Sequence, residues 1–182
     1  MKNQKNKDSS EDSIKILLVG LDNSGKTSIV TCLKGIKTLT AFTSIYPTRG
    51  RQIDNFEALN SKYAIWDLGG QKSFRAEYFK EFRNYVIGAH KIIYVIDIQD
   101  VLRYDEAIEY LERLIHSIEN QGDIEFSIFL HKFDPDIQFD NELNDTIITQ
   151  LINTIKKKIP PNLDYSIHKT SVYCIFEKTT IC

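Results

Sequence analysis

The stretch that most constrains the fold of this chain is GLDNSGKT at residues 20–27, which matches the pattern G-x-x-x-x-G-K-[ST]. The residues before it, SIKILLVG (13–20), are a short apolar run rich in Ile, Leu and Val, and they predict a buried strand. The residues after it, TSIVTCLKG (27–35), predict a short helix. A strand, a glycine-rich turn and a helix start form the context that a phosphate-binding loop requires, and a chance glycine-rich turn is the alternative.

The residue types of this loop indicate its chemistry. Glycines allow backbone N–H groups to surround a phosphate, and the helix N-terminus adds a favourable dipole. We expect Lys26 to reach the β- and γ-phosphates and to assist catalysis, and the Thr27 hydroxyl to ligate Mg²⁺. The predicted phosphate-binding residues are Asp22, Asn23, Ser24, Gly25, Lys26, Thr27 and Ser28.

Apolar strands and amphipathic helices alternate along the rest of the chain. Further strands are predicted at 51–59, 62–68, 91–97, 126–131 and 163–170, the first two forming a hairpin. Helical spacing of apolar residues predicts two longer helices, at 104–118 and 143–158. The pattern indicates an α/β fold with a mostly parallel central sheet flanked by helices. Ligands bind such sheets at the carboxyl ends of the strands, so we expect the functional residues there.

Composition excludes several classes of protein. The 182 residues are 42% hydrophobic and 26% charged, which fits one soluble domain with a substantial core. The net charge of −2 gives no basic field, so we expect no nucleic-acid partner. Three scattered cysteines, Cys32, Cys174 and Cys182, form no CxxC pair and favour a reducing, cytoplasmic location. We interpret residues 1–13 as a disordered polar tail without a membrane anchor, and residues 14–182 as the folded domain.

Two further motifs suit a bound nucleoside triphosphate. Residues 66–71 read WDLGGQ, and a carboxylate at a strand end, here Asp67, is a typical partner of Mg²⁺. The Gly70 amide is expected to approach a γ-phosphate, and Gln71 to orient a water for catalysis because its amide both accepts and donates. Thr48 is expected to be a second hydroxyl ligand of Mg²⁺. The alternatives are a plain turn after a strand and an ordinary loop threonine.

Residues 128–134, IFLHKFD, end a predicted strand in polar side chains. Within those seven residues, His131 is open to three interpretations: a metal ligand, an acid/base catalyst, or part of a site that recognises a flat ring. A purely structural histidine is a fourth.

The motifs GLDNSGKT, PTRG and WDLGGQ together resemble the Arf/Sar branch of the small Ras-like GTPases. The resemblance covers about residues 14–173 and implies a P-loop NTPase with a Ras-like G domain. It implies GTP and GDP as ligands, with residues 36–50 and 69–82 responding to the γ-phosphate. His-Lys-x-Asp at 131–134, QKSFRAEYF and the final TSVY are similar to the Rag GTPases, a sister branch.

The resemblance also implies how guanine would be recognised. Asp134 would accept hydrogen bonds from the base, and the aliphatic stem of Lys132 would lie across its plane. His131, which stands where most relatives have Asn, would donate to the base or accept from the phosphate loop. Ser171 and Val172 follow the last strand, and the family places a backbone N–H for the guanine 6-oxygen at this turn. An exchange factor, a GTPase-activating protein and an effector are the implied partners.

Three further features of the sequence bound the prediction. Only twelve residues follow Thr170, so the last helix is expected to be short or missing. No obvious arginine is supplied in cis, and Asp22 places a carboxylate near the phosphates. We therefore predict a Mg²⁺-dependent GTP/GDP switch with slow hydrolysis. The alternatives are a non-hydrolysing adaptor that acts only by binding proteins and, more remotely, a P-loop kinase.

Overall fold

Strands and helices alternate along the chain, largely as the hydrophobic pattern predicts. The structure, a computed structural model, describes residues 13–35, 46, 48, 50–58, 61–118, 124–135, 137 and 143–172. The strands are β1 (Ser13–Gly20), β2 (Arg51–Ala58), β3 (Ser61–Leu68), β4 (Lys91–Asp97), β5 (Glu125–His131) and β6 (Tyr165–Lys169). The helices are α1 (Lys26–Leu33), α2 (Lys72–Val86), α3 (Tyr104–Ile118) and α4 (Asp145–Lys158), and a 3₁₀ turn at Val101–Arg103 leads into α3.

The strands form one six-stranded sheet in the order β2-β3-β1-β4-β5-β6. The β2–β3 hairpin is antiparallel, and the other neighbouring pairs in this sheet are parallel. The parallel strands therefore share one carboxyl edge, where a ligand site is expected. The α/β prediction with a mostly parallel sheet is confirmed.

Alternate side chains of the central strands enter two different cores. Leu17 and Val19 of β1 belong to a large cluster with Tyr94 of β4, whereas Leu18 and Val95 belong to a smaller cluster on the other face. This alternation is the two-residue period of a strand. Helices α2, α3 and α4 contribute to the large cluster, and α1 contributes to the small one. Both faces of the sheet are thus covered, which explains the continuous apolar runs of β1 and β4.

The edge strand β2 is attached to α1 by an ion pair. Lys34, directly after α1, places its Nζ 2.6 Å from Oδ1 of Asp54 in β2. The other carboxylate oxygen of Asp54 accepts from Gln52 Nε2 at 2.9 Å. Asp54 is buried, so these partners satisfy a carboxylate that would otherwise be costly to hold there.

One helix was not predicted from the sequence. Helix α2 follows Gln71, whose side chain makes no capping hydrogen bond, and its first turn holds no acidic residue. The usual signals of a helix start are therefore missing. Helix α4 begins at Asp145 instead of Leu143, because the Asn144 side chain caps it by accepting from Ile147 N at 3.0 Å.

Some predictions fall on residues outside the described ranges. These are the polar tail, of which 1–12 lie outside, most of the loop at 36–50, and the short or missing last helix at 173–182. Ser13 is the first residue of β1, so the strand begins one residue before the domain boundary predicted at 14. Within the described part of the chain, no helix has the length and apolar character needed to cross a membrane.

The core assignment can be tested with two identical substitutions. Leu114 in α3 is fully buried, so Leu114→Ala removes packing and is expected to lower the free energy of unfolding by about 2–5 kcal/mol. Leu102 is 91% exposed, and Leu102→Ala should change that free energy by about 0.5 kcal/mol or less. Urea denaturation followed by circular dichroism measures both, and equal losses would contradict the assignment.

Candidate functional site

A cavity of about 460 Å³ lies at the carboxyl edge of the sheet. The whole predicted phosphate-binding run lines it, together with residues that follow β3 and β5. Its lining residues are Asp22, Asn23, Ser24, Gly25, Lys26, Thr27, Ser28, Tyr46, Thr48, Gly70, Gln71 and Lys132. Segments that are far apart in sequence thus meet at one place because parallel strands end at the same edge.

The loop between β1 and α1 is packed tightly from two sides. Gly25 has a φ of 90°, and a Cβ built there would lie 2.4 Å from Cδ2 of His131. A Cβ at Gly70 would lie 2.1 Å from the backbone N of Asp22. Real side chains do not tolerate such distances. Glycine at these two positions is therefore what allows the loop to lie between the end of β5 and the turn after β3.

Lys26 places a buried cation beneath the loop. Its Nζ donates to the carbonyls of Leu21 at 2.7 Å and Gly20 at 3.2 Å, and the residue is 5% exposed. Burial lowers the pKa of Lys26 to about 8, while the carboxylates of Asp67 and Asp22 oppose that shift. An anion in the cavity would compensate the desolvated charge, so the geometry favours a phosphate ligand.

Three oxygen side chains predicted to ligate a metal come together. The Thr27 and Thr48 hydroxyls both donate to Oδ2 of Asp67, at 2.6 and 3.1 Å, and lie 3.0 Å from each other. Asp67 is 1% exposed, and its Oδ1 has no hydrogen-bond partner among the described residues. Burial raises the pKa of Asp67, and the Lys26 charge and both hydroxyl bonds oppose the rise. A buried carboxylate with an unsatisfied oxygen, next to two hydroxyls, fits a hard cation such as Mg²⁺.

Gln71 lies at the wall of the cavity, where β3 has ended and α2 begins. Its backbone is extended, and its carbonyl accepts from Arg75 N at 3.1 Å. The preceding Gly69 N–H donates to the carbonyl of Gly50 at 2.9 Å, which fixes the turn against the segment that leads into β2. The first turn of α2 therefore positions Gln71 beside the phosphate loop.

His131 ends β5 and is 2% exposed. Its Nδ1 lies 3.0 Å from the Thr170 hydroxyl after β6, and its opposite edge faces Gly25. Burial lowers the pKa of His131, so the ring is neutral at pH 7. With both edges in contact with the protein, the ring supports the loop, and the metal-ligand and proton-transfer interpretations lose their basis.

Lys132 and Asp134 extend the site beyond His131. Lys132 has a φ of 61°, unusual for a residue with a side chain, and its Nζ lies 2.6 Å from Oδ2 of Asp97 at the end of β4. Asp134 accepts a hydrogen bond from the Ser171 hydroxyl and a second, at 3.3 Å, from Gln99 Nε2. Gln99 also donates to the Lys132 carbonyl at 2.9 Å. The segments that follow β4, β5 and β6 thus fix the predicted base-recognition residues.

Val172, the remaining predicted base contact, is half-buried against the smaller hydrophobic cluster.

Sequence reasoning missed several other residues of this region. Asp97 and Thr170 each stand at or just after a strand end, so the strand-end rule could have indicated them. Gln99 and Arg103 offered no such signal. Arg103 nevertheless lies beside the phosphate loop, with its Nη2 2.6 Å from Oδ1 of Asp22.

Comparison with known proteins agrees with this geometry. The sequence model that describes the ADP-ribosylation factor family matches residues 1–174. The chain belongs to this family. The fold is accordingly the Ras-like GTPase fold, as predicted.

Two curated relatives are similar to part of this chain. ADP-ribosylation factor-like protein alp41 of Schizosaccharomyces pombe is 37% identical over 105 residues, which cover 58% of this chain and 52% of that protein. ADP-ribosylation factor-like protein 2 of Dictyostelium discoideum is 36% identical over 126 residues, 69% of this chain and 64% of that protein. The chain therefore spans between half and two thirds of the length of these relatives.

A solved structure shows the same fold. The Arl6 BBS3 small GTPase from Trypanosoma brucei, with the bound nucleotide analogue GppNp, superposes with a TM-score of 0.63. The two chains are 23% identical, and the superposition covers 87% of each. At this identity the likeness concerns the fold alone.

The buried state of His131 predicts a pH-dependent stability. Because its pKa is lowered in the folded chain, the unfolded chain binds a proton first as the pH falls below about 6.5, and stability is lost there. His131→Asn should reduce the loss of unfolding free energy between about pH 7.5 and about pH 5.5, because it removes a group that binds a proton more readily in the unfolded chain. Urea titrations at both pH values test this. His168→Asn, at an exposed position of β6, is the control. An unchanged pH dependence in His131→Asn would contradict the assignment.

Proposed function

We propose that this chain is a guanine-nucleotide switch that binds GTP and GDP with Mg²⁺ and hydrolyses GTP slowly. The observation that supports it most is the meeting of Lys26, Thr27 and Thr48 in one cavity, with Gln71 at its wall. Buried behind them, Asp67 accepts hydrogen bonds from both threonines. These residue types supply what a triphosphate, its metal ion and an attacking water require. Membership of the ADP-ribosylation factor family supports the same function.

The phosphate end of the cavity would hold the β- and γ-phosphates. Lys26 neutralises their charge, and the backbone amides of residues 22–28 surround them at the N-terminus of α1. Thr27, Thr48 and Asp67 would hold Mg²⁺, which when bound neutralises charge on the phosphate oxygens. Thr48 belongs to the segment before β2, so its position can respond to whether a γ-phosphate is present.

Hydrolysis requires a positioned water. The Gln71 amide can accept one hydrogen bond from that water and direct its oxygen towards the γ-phosphorus. A bond forms from the water oxygen to the γ-phosphorus as the bond from phosphorus to the bridging oxygen breaks. The protons of the water leave on the inorganic phosphate, and GDP is the other product. Arg103, near the loop, is already engaged by Asp22. The full rate is therefore expected to need an arginine from an activating partner.

The base end would select guanine. Asp134 is held by Ser171 and Gln99 in a fixed orientation, which suits a carboxylate that accepts from two donors of the base. The His-Lys-x-Asp sequence at 131–134 resembles that of Rag proteins. It would keep the recognition of guanine, because His131 packs against Gly25 and supports the phosphate loop.

An exchange factor and an effector complete the proposed switch, and the composition favours a cytoplasmic location.

Gln71→Leu tests the hydrolytic part of the proposal. The substitution keeps the size of the side chain but removes its hydrogen bonds to water, so single-turnover GTP hydrolysis should fall by at least about tenfold. Affinity for a non-hydrolysable GTP analogue, measured by displacement of fluorescent GDP, should stay within about twofold. If neither the original chain nor the variant hydrolyses GTP, the adaptor interpretation replaces this one. An unaltered rate would exclude Gln71 as the positioning residue.

Asp134→Asn tests the base selectivity. The loss of two charge-assisted hydrogen bonds should weaken GDP binding by at least about thirtyfold, and xanthosine diphosphate should bind better because an amide N–H can meet its 2-oxygen. His131→Asn is the matched comparison, with an expected change in GDP affinity of about tenfold or less. Competition titrations with both diphosphates measure these effects. Equal affinity for GDP in Asp134→Asn and the original chain would remove Asp134 from the base site.

A further inference from the structure

Asp22 places a carboxylate in the loop that is proposed to bind phosphates, and an unpaired carboxylate there would repel them. It lines the cavity, and its side chain is partly exposed there. Arg103, in the turn before α3, donates to Oδ1 of Asp22 at 2.6 Å and to its backbone carbonyl at 3.5 Å. These two contacts join residues 81 positions apart in the sequence. The arginine thus both neutralises the carboxylate and contacts the backbone of the loop.

Arg103 is itself held by acidic neighbours. Its Nε donates to Oε2 of Glu106 at 3.0 Å, and its Nη1 lies 3.4 Å from Oδ2 of Asp100. The guanidinium is therefore oriented from the α3 side before it reaches the phosphate loop. Its planar set of donors allows it to bind these groups at the same time, which a lysine ammonium cannot do in the same geometry.

Glu106 extends this arrangement to α2. Its second oxygen accepts from Arg75 Nη2 at 2.5 Å, and hydrogen bonds from both arginines lower the pKa of Glu106. Arg75 is 8% exposed, lies over the Tyr110 ring and belongs to the first turn of the helix that follows Gln71. Charges of alternating sign therefore run from the phosphate loop to α2 in the order Asp22, Arg103, Glu106, Arg75. We call these four residues the charge chain.

We propose that Arg103 is a positioning residue for the triphosphate form of the nucleotide, which it favours by neutralising Asp22 beside the phosphates. This inference rests on the proposed function. GTP carries more negative charge than GDP, so an unpaired carboxylate at the loop penalises GTP more. Glu106 contacts both Arg103 and Arg75, so it keeps Arg103 oriented. The same contacts join the phosphate loop to α2, the helix whose first turn positions Gln71. Asp22 and Arg103 are best understood as one neutral unit of the site.

The test is a double-mutant cycle on nucleotide affinity. Arg103→Ala should weaken binding of a non-hydrolysable GTP analogue by about five- to tenfold and binding of GDP by about twofold. Asp22→Asn alone should strengthen binding of the analogue by about two- to fivefold, since the Arg103 charge is then unpaired beside the phosphates. In the double variant neither charge remains, so the loss caused by Arg103→Ala should disappear and analogue affinity should lie within about twofold of the original chain. Displacement of fluorescent GDP measures all four proteins.

Controls separate charge from folding. Arg103→Lys keeps the charge and should retain most of the preference for the analogue, and Arg103→Gln replaces Arg103→Ala if the latter fails to fold. Lys157→Ala removes an exposed cation at the end of α4 and should leave both affinities unchanged. An Arg103→Ala defect that Asp22→Asn does not relieve, or one equal for GDP and the analogue, would show a merely structural arginine and overturn the proposal. No binding by the original chain would refute the proposed function, whereas normal binding by Arg103→Ala would refute this inference alone.

Discussion

The close packing of the phosphate loop against the turn after β3 and against the His131 ring is the constraint on which the rest of the site depends. The phosphate loop lies between the turn after β3 and the end of β5, and the gaps on both sides are too narrow for a Cβ at Gly70 or Gly25. This packing fixes where the loop amides point before any ligand arrives. It also brings the side chains of neighbouring strands into one cavity. Preorganisation here comes from backbone packing at Gly70 and from the His131 ring at Gly25.

The buried charges of Lys26 and Asp67 favour the binding of a ligand of matching charge. Burial opposes the charged form of both Lys26 and Asp67, and each relieves the other only in part. Phosphate beside the lysine and a cation beside the carboxylate would relieve both. A ligand that binds only the folded chain also stabilises it by mass action. The domain is therefore expected to be most stable when a ligand fills the cavity. The free energy that burial of the Lys26 and Asp67 charges costs in the free site is recovered on binding.

Local motifs were predictable from the sequence, and long-range partners were not. GLDNSGKT and WDLGGQ each combine a backbone requirement with a side chain a few residues away, so their spacing predicts a site for phosphates and a metal ion. The role of HKFD was predicted only through the family resemblance. The strands were also predictable, because burial on both faces makes them continuously apolar. Helix α2 lacks a capping signal, and Arg103 meets Asp22 only through the fold. A contact between residues so far apart in sequence depends on the order of the strands in the sheet, and no short stretch of the sequence indicates that order.

The edge position of β2 has a consequence for solubility. In the described sheet, β2 pairs on one side only, with β3, so its other backbone edge resembles a template for a further strand. Its sequence, RQIDNFEA, places charged or amide side chains among its apolar ones, and Lys34 adds a cation from α1. Such charges disfavour the stacking of identical strands, because like groups would face each other between copies. The charged side chains of β2 are therefore expected to disfavour edge-to-edge aggregation between copies of the domain.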